Sequence, residues 1–146
     1  MKWSVKRFDE LTPLELYDCI KLRLEVFIGE QGCSYEDLDD HDQQAYHMFL
    51  YDGGNIVVYC RILDAGVAYE ERSIGRVCVH KHYRKKGLAR QMMLEALNFI
   101  QKQESHPKIK ISAQSYIIPF YESVGFQVIS EAYLEEGIEH RKMKWQ

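Results

Sequence analysis

Residues 77–90 read VCVHKHYRKKGLAR and join an apolar, strand-like segment to an amphipathic helix. The backbone N–H groups in the first turn of a helix lack acceptors within the helix, and with the helix dipole they favour an anion. Gly87 and Ala89 would let a bulky phosphate approach this backbone. Five basic residues surround the junction: Lys81, Arg84, Lys85, Lys86 and Arg90. No acidic residue lies between His80 and Gln91. The stretch predicts a strand–turn–helix unit with a diphosphate site, although a solvated basic turn has the same composition.

The composition is typical of a globular protein and excludes several classes. The chain has 146 residues, of which 46% are apolar and 28% charged, and this predicts one domain over residues 1–146. No segment approaches the roughly 18 apolar residues of a membrane span, and no signal peptide is evident, so a cytoplasmic location away from membranes is expected. The net charge of −3 argues against general nucleic-acid binding. The four cysteines are Cys19, Cys33, Cys60 and Cys78. They lack C-x-x-C spacing, which predicts buried thiols rather than disulfides or a zinc site.

A second charged segment, of opposite sign, lies in the first third of the chain. Between residues 30 and 42 there are six acids and no lysine or arginine: Glu30, Glu36, Asp37, Asp39, Asp40 and Asp42. An acidic site for a cationic acceptor and a basic site for an anionic cofactor would produce this separation of charge. Two unrelated solvated loops would produce it as well.

Apolar periodicity predicts alternating strands and helices. The predicted strands are 3–8, 47–50, 55–63, 72–80, 109–113, 125–126 and 139–145, with Gly53-Gly54 as a hairpin turn. The predicted helices are 13–29, 88–103 and 117–124, the first capped by Thr12 with Pro13 at its first position, and residues 32–42 are a loop. This order predicts an α/β (α+β) fold in which a central mixed, largely antiparallel sheet has helices on both faces.

These motifs together resemble the GCN5-related N-acetyltransferase (GNAT) superfamily. Residues 83–89, YRKKGLA, are similar to its acetyl-CoA signature, Arg/Gln-x-x-Gly-x-Gly/Ala. Residues 114–126, QSYIIPFYESVGF, look like its second signature, which ends in a tyrosine and a Gly-Phe pair. Three further segments resemble the ElaA-like branch: residues 23–31, residues 38–42 with His47, and residues 135–140. The resemblance covers nearly the whole chain.

The resemblance implies a GNAT fold and an enzyme that transfers the acetyl group of acetyl-CoA to a primary amine, without a metal, in a ternary complex. It places the pyrophosphate on the backbone amides from Lys85 to Arg90 and the pantetheine along residues 77–79. The Val79 amide would polarise the thioester carbonyl, and Gln114 would bond the pantetheine. The cofactor-binding residues implied in this way are Val77, Cys78, Val79, Arg84, Lys85, Lys86, Gly87, Leu88, Ala89, Arg90, Gln114 and Phe120.

Proton transfer needs an acid for the leaving thiolate and a route for the amine proton. The resemblance makes Tyr121 the candidate acid, whereas periodicity alone favours a core tyrosine. Glu30 is the favoured base because the end of the first helix should lie near the acceptor groove, and ordered water could replace it. Other side chains with suitable chemistry are His41, His80 and Glu122.

Several alternatives stay open at this level. Acyl-homoserine-lactone synthases have a set of residues similar to one in this chain: Arg23, Phe27, Asp39, Asp42 and Arg61. This chain is shorter than those enzymes and lacks their tryptophan. A buried ion pair between Arg23 and Asp39 or Asp42 would explain part of that set structurally. A CoA-binding module without turnover is another alternative, and exposed strand edges would allow a homodimer. Cys78 and Cys33 could carry an acetyl group, but nothing in the sequence lowers their pKa, and His80-x-His82 lacks further metal ligands.

Overall fold

The computed structural model describes residues 2–32 and 37–145. Its strands in this part of the chain are Trp3–Arg7 (β1), Tyr46–Asp52 (β2), Asn55–Leu63 (β3), Ser73–Val79 (β4), Ile109–Gln114 (β5), Phe126–Val128 (β6), Tyr133–Glu135 (β7) and Ile138–Trp145 (β8). Its α-helices are Pro13–Leu24 (α1), Leu88–Gln103 (α2) and Ile118–Ser123 (α3). Two of these elements, β3 and α2, have the predicted bounds.

The strands form two sheets rather than the one central sheet that was predicted. The first sheet is antiparallel, in the order β1-β2-β3-β4, and the second has the order β5-β8-β6, with β7 also paired to β8. A parallel bridge between Arg72 and Ile109 joins them, where the Arg72 N–H donates to Lys108 O at 3.0 Å and the Lys110 N–H donates to Arg72 O at 2.8 Å. In the described part of the chain no further ladder joins β4 to β5 beyond this bridge. We call the space between β4 and β5 beyond the bridge the cleft. The predicted fold class is confirmed.

Helices cover both faces of the first sheet, as predicted. Because side chains alternate along β3, Tyr59 packs under α1 while Val58 and Ile62 pack under α2. On the α1 face the buried apolar side chains include Cys19, Leu22, Val26, Phe27, Phe49 and Cys78. On the α2 face they include Met48, Cys60, Met92, Met93, Leu97 and Ile100. The strand that ends at Val79 is therefore supported from both sides.

The first helix begins where the sequence predicts and ends differently. Thr12 Oγ1 accepts from the Glu15 N–H at 3.1 Å, the Glu15 carboxylate accepts from the Thr12 N–H at 2.8 Å, and Pro13 occupies the first position. After Leu24 the chain continues as a π-helical segment, Glu25–Glu30, where a regular α-helix to Gly29 was predicted. Apolar spacing does not distinguish the two, because the wider turn depends on what the helix packs against.

Two other predictions need correction. The predicted helix 117–124 is a 3₁₀ turn, Ser115–Ile117, followed by α3. The sequence pattern also missed β7, which pairs with β8 through a turn in which Glu136 and Gly137 have positive φ angles of 51° and 75°. Leu134 and Glu135 in β7 are exposed, so the strand has little apolar pattern of its own and forms by pairing with β8.

Cys19, Cys60 and Cys78 are buried free thiols, as predicted, and Cys33 lies outside the described residues. No helix in residues 2–32 or 37–145 is long and apolar enough to cross a membrane.

Candidate functional site

The strand that borders the cleft, β4, carries a bulge. Tyr59 pairs with Cys78 and Arg61 pairs with Gly75, so that Arg76 and Val77 together oppose the single residue Cys60. Arg76 has a φ of 49°, in the left-handed region that side chains larger than glycine rarely adopt. The bulge therefore bends the strand immediately before its last residues.

The end of β4 directs a backbone donor away from its partner strand. The His80 N–H donates to Val57 O at 2.8 Å, which makes Val57 and His80 a hydrogen-bonded pair. Such pairs alternate along an antiparallel ladder, so the adjacent pair, Val58 and Val79, is not hydrogen-bonded. The Val79 N–H consequently points away from β3, toward the cleft.

The basic turn, residues 81–90, follows β4 and leads into α2. Lys85 and Gly87 have φ angles of 62° and 75°, which reverse the chain direction before Leu88 begins the helix with a buried side chain. The first bond of this helix joins the Gln91 N–H to Gly87 O at 3.1 Å. The N–H groups of the preceding helical residues therefore have no acceptor within the helix, and this end can bind an anion.

The basic side chains of the turn differ in what they contact. Lys81 and Lys85 are exposed, and Lys86 Nζ lies 5.2 Å from the centre of the Tyr83 ring. Arg90 Nη1 donates to Ser123 Oγ at 2.9 Å and so connects α2 to α3. Arg84 Nε donates to Val79 O at 3.0 Å, and its Nη2 lies 2.6 Å from Glu30 Oε1.

Residues Glu30 and Gln31 connect both sides of the cleft. Glu30 contacts Arg84, just beyond β4, whereas Gln31 Oε1 accepts from Gln114 Nε2 at 3.2 Å at the end of β5. The end of the π-helical segment therefore lies across the open end of the cleft. Glu30, Arg84 and Gln114, which the sequence analysis placed in one site, are brought together in this way.

Tyr121 lies on α3, and its side chain belongs to the apolar core cluster that also contains residues of α2 and β5. Tyr121 is 7% exposed, and its ring packs edge-to-face against Phe120 and Phe126 at centroid distances of 5.2 and 5.9 Å. Burial raises the pKa of the Tyr121 hydroxyl well above its ordinary value, so the hydroxyl stays protonated throughout the neutral range. These contacts are those of a core residue.

The acidic loop, residues 37–42, is neutralised by arginines from three other elements. Arg23 of α1 lies 2.9 Å from Asp37 and 3.0 Å from Asp42. Arg61 of β3 donates to both oxygens of Asp39 at 2.8 Å and contacts Asp42 at 2.9 Å. The predicted buried pair of Arg23 with Asp42 is confirmed, while Asp39 pairs with Arg61 instead.

The same loop also contacts the bulge of β4. Arg76 Nε lies 3.1 Å from Asp37 Oδ1, and its Nη2 lies 3.2 Å from Asp39 Oδ2. With three arginines and three aspartates the network is electrically neutral. Burial alone would raise the pKa values of Asp39 and Asp42, but hydrogen bonds and charges from Arg61 and Arg23 outweigh it and hold both values below their ordinary range.

Comparisons with known proteins agree with this geometry. A family profile described as "Acetyltransferase (GNAT) domain" matches residues 16–146. The chain belongs to the GNAT acetyltransferase family. A UPF0039 protein of Schizosaccharomyces pombe is 38% identical over 99% of this chain and 96% of its own length.

Two crystal structures show the same GNAT architecture. An acyl-CoA N-acyltransferase from Pseudomonas aeruginosa has a TM-score of 0.94 and 32% identity, with all of both chains covered. ElaA from Escherichia coli has a TM-score of 0.93 and 31% identity over 99% of both chains. The predicted ElaA-like relationship is confirmed, and this GNAT domain is an acyltransferase. A CoA-dependent acyl-homoserine lactone synthase shares the fold at a TM-score of 0.77 and 16% identity, over 97% of this chain and 82% of its own.

The other side chains considered as bases lie on different elements of this GNAT domain. His80 Nδ1 accepts from the His82 N–H at 3.2 Å, Glu122 is exposed on α3, and His41 belongs to the acidic loop. Burial raises the pKa of the Cys78 thiol well above its ordinary value, which disfavours it as an acetyl carrier. Among the described residues, no group of three or more His, Cys, Asp or Glu side chains is arranged so that it could hold a metal ion.

Sequence reasoning missed two features of the site. It did not identify Arg76, whose only local signal was an arginine between Gly75 and an apolar pair, and it did not identify the contact of Gln31 with Gln114. The latter residues are 83 positions apart in the chain. No pattern within a short window could reveal either contact.

Proposed function

We propose that this GNAT acyltransferase transfers the acetyl group of acetyl-CoA to a primary amine of a small molecule or a peptide, directly and within a ternary complex. One observation carries the proposal: the Val79 N–H points away from β3, toward the cleft, and the unpaired first turn of α2 follows at residues 88–90. A backbone donor at the end of a strand and an anion site one turn later suit a long ligand with a diphosphate at one end.

In this proposal the cofactor lies between β4 and β5. The pyrophosphate binds the backbone amides of residues 85–90, where Leu88 and Ala89 begin the helix, and Arg84, Lys85 and Lys86 add positive charge. The pantetheine runs beside residues 77–79, with Gln114 and Phe120 on the opposite wall. Because Gln114 bonds Gln31 in this structure, contact between Gln114 and the pantetheine would add to or replace that bond.

The Val79 amide is our candidate to polarise the thioester carbonyl, since the bulge at Arg76–Val77 bends the strand just before it. A backbone donor aimed at a developing oxyanion lowers the barrier by about 3 kcal/mol. The amine nitrogen would attack the carbonyl carbon, the C–N bond would form, and the C–S bond would break. The thiolate would take its proton from the Tyr121 hydroxyl.

Glu30 is our candidate for accepting the amine proton. Its carboxylate is paired with Arg84 at the open end of the cleft and its side chain is 32% exposed, so an acceptor could reach it. Direct transfer is favoured over an acetylated cysteine because burial raises the pKa values of Cys60 and Cys78.

Calorimetric titration of acetyl-CoA into the wild type and a Gly87→Glu variant tests the cofactor site. Gly66→Glu is a matched control, because both glycines have positive φ, 75° and 88°, and a Cβ at either would meet no atom within 4 Å. The backbone strain is therefore similar, but only Gly87 precedes α2. We expect micromolar binding by the wild type and by Gly66→Glu, and at least a tenfold loss in Gly87→Glu. Absence of binding by the folded wild type would refute the proposal.

A Tyr121→Phe variant tests the acid. We expect turnover to fall roughly 100-fold in an assay that follows the released thiol across a panel of amines. Acetyl-CoA affinity and thermal stability should be retained, because the ring and its aromatic contacts remain. Tyr116→Phe is the control, since this neighbouring tyrosine is 71% exposed. Unchanged turnover in Tyr121→Phe would leave Tyr121 as a core residue only.

The two other functions predict different results. An enzyme like the acyl-homoserine-lactone synthases would release CoA only with the acceptor that those synthases use. The charged residues that this chain has in common with them are paired with one another here, in the ion network of the acidic loop: Arg23, Asp39, Asp42 and Arg61. A CoA-binding module would bind acetyl-CoA and release no thiol with any amine.

A further inference from the structure

We propose that Arg76 is a positioning residue for acyl transfer: its ion pairs with the acidic loop hold the bulge of β4 and thereby set the direction of the Val79 amide. This inference rests on the proposed function, because that function places the cofactor beside β4. It adds a residue that acts through the strand and does not touch the cofactor.

The backbone at Arg76 needs support from its surroundings. Its φ of 49° lies in the left-handed region, which is costly for a residue with a Cβ, and a glycine would adopt it without strain. Gly75 is adjacent, yet the left-handed conformation falls on the arginine. A bulge with this sequence persists only if other contacts compensate for the strain.

The side chain supplies those contacts. Its guanidinium lies 3.1 Å from Asp37 Oδ1 and 3.2 Å from Asp39 Oδ2, and Nη2 also donates to the Asp37 carbonyl at 3.1 Å. The Asp37 side chain is 1% exposed and that of Arg76 is 19% exposed, so solvent screens these ion pairs less than a surface pair. A regular strand conformation at Arg76 would redirect the side chain and break this set of contacts together.

The acidic loop is a firm attachment point for the bulge. Arg23 and Arg61 hold the same aspartates from α1 and β3, where each arginine lies in a regular helix or strand. Arg76 differs from them because its own backbone is the irregular one.

Three variants separate the side chain from the backbone conformation. Arg76→Gly accepts the left-handed φ but loses the ion pairs, whereas Arg76→Lys keeps a positive charge at the same position. Lys6→Gln is the control, because it removes an ion pair of partial burial, Lys6–Glu15 at 2.9 Å, between β1 and α1. The readouts are amide hydrogen exchange in the ligand-free protein and the ratio of the affinities for acetyl-CoA and CoA.

In Arg76→Gly we expect exchange at Cys78 and His80, the amides that bond β3 beyond the bulge, to rise at least tenfold, with β1 and β2 unchanged. The ratio of the affinity for acetyl-CoA to the affinity for CoA should fall toward one. The fold decrease in kcat should exceed the fold increase in the KM for acetyl-CoA. Arg76→Lys should recover part of each effect, and Lys6→Gln should show none.

Wild-type exchange and an unchanged affinity ratio in Arg76→Gly would refute the role of Arg76. If Arg76→Gly does not fold, the same measurements on Arg76→Lys and Asp39→Asn decide the question, since each weakens the contact without a new backbone preference. If the wild type does not bind acetyl-CoA, the proposed function fails, while hydrogen exchange still shows whether Arg76 holds the bulge.

Discussion

The acidic loop, residues 37–42, and the basic turn, residues 81–90, look alike in the sequence. Each is a short segment with charges of one sign and no neighbouring counter-charge. In the structure the acidic loop is paired with three arginines, Arg23, Arg61 and Arg76, whereas the side chains of Lys81 and Lys85 in the basic turn are exposed. Two segments with similar charge patterns therefore differ in the structure. The acidic loop is neutralised by arginines that are distant in the sequence, whereas the basic turn keeps exposed cations.

The partners of the acidic loop come from far along the sequence. Arg23 is 14 residues from Asp37, and Arg61 and Arg76 are 22 and 37 residues from Asp39. Glu30 is paired as well, with Arg84. The acidic cluster is therefore weaker support for a cationic acceptor than its composition indicates, and Asp40 is its exposed member within the described loop.

The largest expected effect is on the unfolding free energy, when the buried ion network of the acidic loop is broken. Arg23→Met would leave Asp37 and Asp42 without one of their buried partners, and breaking a buried pair typically costs about 3–5 kcal/mol of unfolding free energy. Urea denaturation measures this cost, with Lys21→Met on the exposed face of α1 as the control. A cost below about 1 kcal/mol would mean that the network, like the basic turn, contributes little to stability.

The next effect concerns pH. His47 is buried, with Nδ1 2.6 Å from Tyr59 Oη and Nε2 2.9 Å from Asp42 O, and burial, aided by Arg23 and Arg61, lowers its pKa. The unfolded chain then binds a proton below about pH 6.5 that the folded chain does not, so stability should fall by up to about 1.4 kcal/mol per pH unit on acidification.

Urea denaturation between pH 7.5 and 4.5 (an interval of about three units around the ordinary histidine pKa) measures this slope. His47→Gln should flatten it there. A second loss should begin below about pH 4, where unfolded aspartates take up protons that Asp39 and Asp42 resist in the folded state. A wild-type stability that does not change across the first interval would contradict this account of His47.

The smallest expected effect on stability is at the basic turn. The side chains of Arg84 and Glu30 are 42% and 32% exposed, so Arg84→Met should change the unfolding free energy by less than about 1 kcal/mol. Acetyl-CoA affinity should nevertheless fall several-fold, and more at low ionic strength. Glu30→Gln is the matched control, because it breaks the same ion pair and leaves the cation. A large loss of stability in Arg84→Met alone would remove the contrast between the two segments.

Local patterns predicted the elements that depend on their own residues. The bounds of β3 and α2, the cap at Thr12 and the turn at Gly53-Gly54 all follow from apolar spacing and from side-chain or backbone preferences. Elements that depend on a partner were missed or altered. The π-helical end of the first helix, the strand β7 and the division into two sheets all require contacts with other parts of the chain.

The candidate site divides in the same way. The sequence by itself determined the basic turn at the start of α2, because a strand end, a left-handed glycine and a helix start are set by residues adjacent to one another. It also determined the family, through motifs of fixed spacing. Only the tertiary structure decided which charges are neutralised, how the bulge at Arg76 is held, and that Glu30 and Gln31 connect the two sides of the cleft. Ion pairs and hydrogen bonds act over a few ångströms, and only folding brings groups far apart in the sequence within that distance.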